Sequence, residues 1–367
     1  MSKNVINIQN NANNSEKGYP LFLGEDLGFA DTINVTYPEL AALYEEQRSQ
    51  FWLETEHNLD QDRIDFQTCD PAVGEVMIRN LMSQWLMDSV AARSIMSLLE
   101  PFASNNEMID ILSVWSFFEG IHARQYSFIM RQCFIDANAV LERAKSDVNV
   151  AYRSKIIGKV FNEVMEVGAK YSQGYDLDIL DVKKAILKTI CAVYSLEAIS
   201  FMGSFACTFA LTETGKFQGI GNGIQAICKD ELLHAKFGKT ILNILLYKEG
   251  YMSIFEEFKE EFTEIFVEAL KQEFSFNEYI FSEGRHVLGL TTELLNEYDK
   301  FIAKPIFDSL GMQWSEEFGE VPKQNPLKYM DKYVNPDSIQ AAAQEITLTA
   351  YRVGAVVDDT NGMEFDF

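Results

Sequence analysis

The stretch Ser116-Phe117-Phe118-Glu119-Gly120-Ile121-His122-Ala123-Arg124-Gln125-Tyr126 sets a carboxylate, an imidazole and a phenol at positions i, i+3 and i+7. On an α-helix those three groups share one face. Trp115, Phe117, Phe118, Ile121, Phe128, Ile129 and Met130 surround them, so the pattern predicts a helix that is apolar nearly all round and lies inside a large core. Ionisable groups in such a place need a partner or a metal.

The same spacing recurs at Glu231-Leu232-Leu233-His234, within the apolar-rich segment from Ile224 to Leu246. Spacing alone does not discriminate, because each of the four histidines has an acid three positions before it. Glu54-x-x-His57 lies in a polar run with no apolar face and reads as a solvated surface pair. Glu283-x-x-His286 is interrupted by Gly284 beside Arg285, which suggests a helix end. What sets the Glu119 and Glu231 copies apart is their apolar bracket and what stands upstream of each.

Asp88 lies 31 residues before Glu119 in an otherwise apolar helical pattern, and Glu197 lies 34 before Glu231 in another. A buried acid on an apolar helix is uncommon without a partner. Each half of the chain therefore reads as a helix with one carboxylate, a connection, and an antiparallel helix with Glu-x-x-His. Two such halves form the pattern of an all-α, carboxylate-bridged dimetal bundle. Four carboxylates balance two divalent cations when the imidazoles are neutral, so the buried site is neutral only when both metals are present. Oxygen and imidazole ligands suit iron or manganese better than a closed structural zinc site.

The chain has 367 residues, 47% of them hydrophobic, enough to bury a sizeable core in one domain. A net charge of −24 argues against non-specific binding to nucleic acid or to an anionic membrane. The five cysteines form no Cys-x-x-Cys pair and read as reduced core thiols of a cytoplasmic protein. No basic-plus-apolar leader and no uninterrupted apolar run near 18 residues is evident.

Three regions are expected: a flexible N-terminal arm (1–30), a helical domain (31–340) and a flexible C-terminal tail (341–367). A helix should open at Pro38 and run to about Trp52. Asp70 and Pro71 should launch the Asp88 helix, ending near Glu100, and Asn106 should cap the Glu119 helix. Amphipathic segments follow at about 136–146 and 150–172, then the Glu197 helix from Asp181 to about Phe209. Gly215 to Gly223 reads as a connecting turn; it lacks the register of a phosphate loop. Two covering helices follow at about 252–280 and 291–309.

As a set these residues resemble the small, radical-generating (beta) subunit of class I ribonucleotide reductase. The markers are Phe51-Trp52, Asp88, Glu119-x-x-His122-x-x-x-Tyr126, Leu-Glu-Ala-Ile-x-Phe at 196–201, Ser-Phe-Ala-Cys at 204–207, Asp-Glu-x-x-His at 230–234, and Tyr351. The resemblance implies a ferritin-like helical bundle with Asp88, Glu119, His122, Glu197, Glu231 and His234 as metal ligands. It implies two iron ions, or alternatively manganese, oxo-bridged when oxidised, with Tyr126 holding the tyrosyl radical after reaction with O2. Phe201, Phe205 and Ile227 match the apolar pocket around that radical. Trp52, Asp230, His122 and Tyr351 match the relay to the large (alpha) subunit, which the tail would bind; a homodimer is implied as well. Lys229 departs from the arginine common before Asp-Glu but keeps the charge. Two other functions fit a dimetal bundle, an oxidase or monooxygenase with its own substrate and an iron-storage protein. Chain length and the tail weigh against storage, and an oxidase would need a substrate pocket in place of the tail and relay.

Overall fold

The computed structural model describes residues 19–25 and 28–334. Tyr351, the tail and most of the N-terminal arm lie outside the described residues. Among those described, the regular elements are helical, with only isolated bridges at Phe22 with Ala103 and Val287 with Leu290.

Four long elements make the core. Helix α3 (Pro71–Leu99) starts as its sequence predicts, with Pro71 at its first position and the Asp70 carboxylate accepting from the Ala72 amide at 2.9 Å. The turn Glu100–Phe102 reverses the chain into α4 (Asn106–Cys133). The cap there is Asn105, whose side chain accepts from Met108 N at 3.1 Å; Asn106 is already inside the helix. Helices α3 and α4 pack along their length. The second pair is α8 (Ile179–Ser195), continuing through a π-turn (Leu196–Ser200) into α9 (Phe201–Glu213), and α10 (Gln218–Asn243). This second pair packs on the first, with α9 against α3 and α10 against α4.

Shorter elements brace that core. Helix α1 (Pro38–Ser49) lies on α4 and α10 and stops three residues short of Trp52. Helix α2 (Asp60–Thr68) contacts the same pair. The segment expected at 150–172 is broken at Ser154 into α6 (Val148–Arg153) and α7 (Lys155–Ser172), after α5 (Ala137–Ser146). Helices α11 (Met252–Glu257), α12 (Lys259–Phe281) and α13 (Thr292–Ser309) cover the α8–α9 side. A last short helix, α14 (Asp331–Val334), follows.

Three of these expectations change around the core. The Gly219–Gly223 run is the first turns of α10 and no loop. A Cβ on Gly219, Gly221 or Gly223 would collide with the Asn58 carbonyl oxygen, the Thr212 side chain and the Gln125 amide respectively, so close approach is the reason for glycine there. Glu54 is buried and pairs with Arg124 at 2.9 Å, while His57 sits edge-on to Trp52, so this pair is no solvated surface feature. Within the expected arm, Leu21 and Phe22 are buried, and Leu23 N donates to Phe102 O at 2.8 Å. The continuous helical stretch Ile179–Glu213 is long and apolar enough to cross a membrane by length and composition; its apolar window is 94% buried inside the protein. That is how a core helix satisfies the same test.

Candidate metal centre

The Glu119 face of α4 meets the Glu231 face of α10 at the middle of the bundle. Glu119, His122, Glu231 and His234 are all buried and their ligand atoms lie within 4.8 Å of one another. His122 Nδ1 is 2.9 Å from Glu231 Oε1, 3.7 Å from Glu119 Oε2 and 3.9 Å from Asp88 Oδ2. His234 Nδ1 is 2.8 Å from Glu119 Oε1 and 2.9 Å from Glu231 Oε2. Two ligands each about 2.1 Å from one octahedral ion lie about 3 Å apart, so these spacings suit donors sharing a centre.

Hydrogen bonding supplies the test of fit. Both oxygens of Asp88, Glu119 and Glu197, together with Glu231 Oε1, His122 Nδ1 and His234 Nε2, are buried and make no hydrogen bond. Buried polar atoms are nearly always satisfied, and each orphan costs on the order of 1–3 kcal/mol, more when charged. Nine orphans on these six side chains, all carboxylate oxygens or imidazole nitrogens, have the donor chemistry that a pair of cations would satisfy.

Electrostatics points the same way. Burial, then the Glu231 and Glu119 carboxylates, push Asp88 well above the usual carboxylate range. The same causes push Glu197 up. Glu231 is held below the range, because the His234 and His122 imidazoles outweigh the burial that would raise it. Burial alone would lower His234, but Glu231 and Glu119 bring it to about 9. Without cations the cluster must hold protons; binding of metal displaces them.

Glu197 stands on the π-turn, where the helix is one residue wider than an α-turn. Such bulges recur at functional sites. Tyr126 is fully buried one turn beyond His122. Its hydroxyl makes no hydrogen bond of ordinary geometry, and burial, then the Asp88 charge, push the phenol well above its usual pKa. Phe201, Phe205 and Ile227 are fully buried, the two rings stacked at 5.7 Å.

Towards α1 the cluster continues through Asp230. Its Oδ2 accepts from Trp52 Nε1 at 2.7 Å and lies 3.1 Å from His122 Nε2, while Oδ1 accepts from Gln47 Nε2 at 2.9 Å. The Trp52 ring lies nearly parallel to His122, with centroids 6.1 Å apart. Gln47 was not anticipated, being 183 positions from Asp230 and on another helix. Its signal was its place at i+7 from Leu40 and i+4 from Leu43, on the apolar stripe of α1.

Helices converging acids and imidazoles on one buried centre define a ferritin-like bundle able to hold a dimetal pair. Residues 30–326 match the family described as ribonucleotide reductase, small chain. The chain belongs to that family. It is 30% identical to the ribonucleoside-diphosphate reductase subunit beta of Buchnera aphidicola subsp. Schizaphis graminum, over 96% of each chain. Its fold matches the ribonucleotide reductase R2 subunit from Clostridium botulinum with a TM-score of 0.77 at 21% identity, covering 91% of this chain and 98% of that one. It also matches the dimanganese(II)-NrdF of Streptococcus sanguinis, with a TM-score of 0.63 at 16% identity over 84% and 97% of the two chains.

Proposed function

We infer that the protein is the small subunit of a ribonucleoside-diphosphate reductase, an oxidoreductase that works with a large subunit to make deoxyribonucleotides. The observation that carries this reading is the set of nine unbonded, buried carboxylate and imidazole atoms beside a buried phenol, in a chain of that family. Asp88, Glu119, His122, Glu197, Glu231 and His234 would hold two metal ions. Iron is the first choice and manganese the alternative, which the name of the Streptococcus sanguinis neighbour supports. When bound, the pair supplies the oxidising power, drawn from O2, that takes one electron from Tyr126.

The remaining steps belong to the chain. Tyr126 keeps its proton at neutral pH, so its oxidation must release one, and Asp88 is the carboxylate nearest in electrostatic effect. Phe201, Phe205 and Ile227 offer no donor and exclude water, which lets a radical persist. Asp230 holds Trp52 and His122 in one hydrogen-bonded line, a path from the centre towards the surface. Tyr351 and the tail would extend that path to the large subunit, with the tail as docking segment, and two copies would form a homodimer in the cytoplasm.

The deciding experiment is electron paramagnetic resonance after anaerobic loading with iron(II) and exposure to O2, repeated with manganese. A tyrosyl signal that disappears in Tyr126→Phe is expected. Two tightly bound metals with no radical under either regime would favour the oxidase or storage reading instead.

A further inference from the structure

The turn that carries Glu197 carries an unusual brace. Within Leu196–Ser200 the Phe201 amide reaches back to the Leu196 carbonyl, the π spacing. A π-turn is rarer than the α-turn it replaces, so something outside the helix must favour it. Arg153, the last residue of α6, is buried and donates from Nη2 to the Ser200 carbonyl at the end of that turn. Its Nη1 donates to Ser83 Oγ on α3 at 2.9 Å, and Nε and Nη2 donate to the Glu273 carboxylate on α12 at 2.9 and 2.6 Å. The guanidinium carbon lies 4.2 Å from the centre of the Phe276 ring.

One planar group thus ties α3, α6, α12 and the π-turn together. As pure scaffolding this is a poor choice, because a fully buried ion pair is commonly no better than apolar residues of similar volume. What apolar residues lack is a fixed fork of donors to hold a backbone carbonyl. If the wide turn relaxed to an α-turn, Glu197 would rotate by about 100° relative to the helix that follows. Its carboxylate would leave the face shared with Glu119 and Glu231.

We propose that Arg153 is a positioning residue for Glu197: clamped by Glu273 and Ser83, it holds the π-turn open and keeps the Glu197 carboxylate aimed into the metal centre. The proposal deepens the dimetal reading and rests on it. The probe is manganese(II), titrated anaerobically into full-length protein by calorimetry and resonance spectroscopy. The variants are Arg153→Lys, which keeps the charge and loses the fork, and Arg153→Met with Glu273→Leu, which removes both charges. Wild type should bind two ions. Both variants should unfold cooperatively yet bind one of the two ions at least about tenfold more weakly, the usual scale for a lost partner of a ligand. In a Glu197→Ala background, Arg153→Lys should have no further effect, because the two act through one group.

Unchanged binding of both ions in the charge-free double variant would overturn the proposal alone. So would an equal loss from Arg153→Lys with and without Glu197. A wild type that fails to bind two ions would overturn the dimetal reading, and this proposal with it.

Discussion

Two clusters of buried charge flank the π-turn, and they are finished differently. Around Arg153 and Glu273, every donor of the guanidinium that faces the interior has a protein acceptor, and the two charges cancel. Around Glu119 and Glu231, the acids outnumber the imidazoles and nine buried polar atoms stay unbonded. Both clusters are equally dry. Burial therefore does not distinguish a structural charge from a functional one; completion does. A cluster closed by its own chain needs nothing more, while one left open and convergent has a place for cations.

The largest effects expected from this contrast are at the open cluster. Asp88→Ala and Glu231→Ala should each lose dimetal binding, and with it radical and activity, because a ligand and a negative charge are gone. Metal-free Asp88→Ala should unfold no earlier than metal-free wild type, since burial and the Glu231 and Glu119 charges disfavour that carboxylate by more than His122 and Tyr126 favour it. Two metals per chain in either variant, by elemental analysis, would erase the distinction between the clusters. Tyr126→Phe comes next: it should keep both metals and stability while radical and turnover vanish, and persistent turnover would move the radical elsewhere.

At the closed cluster the effect should be thermodynamic. Glu273→Ala strands Arg153 and should cost about 3–5 kcal/mol in denaturant unfolding of the metal-free protein. A loss under about 1 kcal/mol would mean that the pair is less dry than its geometry implies.

The smallest effect belongs to Asp299, which borders the closed cluster. Its Oδ2 accepts from Asn277 at 2.7 Å, its Oδ1 has no partner, and burial, then the Glu273 charge, push it well above the usual carboxylate range. A carboxyl raised in the folded state favours folding below its unfolded pKa of about 3.9 and withdraws that support as pH climbs to the folded value. Asp299→Asn should therefore melt slightly above wild type at neutral pH, the gap closing towards pH 4. A gap that does not change with pH would assign the effect to packing.

Much of the open cluster was legible because acids stand out in apolar helices. Asp88, Glu119, Glu197 and Glu231 each interrupt a hydrophobic run, and two histidines follow at helical spacing. The closed cluster was not legible. Arg153 falls inside what reads as one amphipathic helix, and nothing local marks the break at Ser154 or the burial of α6. The π-turn left no trace either, since its residues are ordinary helix formers and its cause is Arg153, 47 positions away. Gln47 and Glu54 were missed for a related reason: polar residues look solvated until another helix covers them. The glycines of α10 were taken for a turn because sequence records the absence of a side chain but not which neighbour requires it.

Those glycines give α10 the mechanics of a lever. Its first turn is pinned where the Asp62 carboxylate accepts from Gly219 N and Ile220 N, at 3.1 and 2.8 Å. Glu231 stands twelve positions beyond Gly219, about 18 Å along a stiff rod. A methyl group at Gly219 would have to push the pivot away from Asn58. A tilt of about 5° there swings Glu231 by roughly 1.5 Å, beyond the tolerance of about 0.5 Å that a working site demands. Gly219→Ala is thus a metal-site substitution at a distance, touching no ligand and displacing two of them at once.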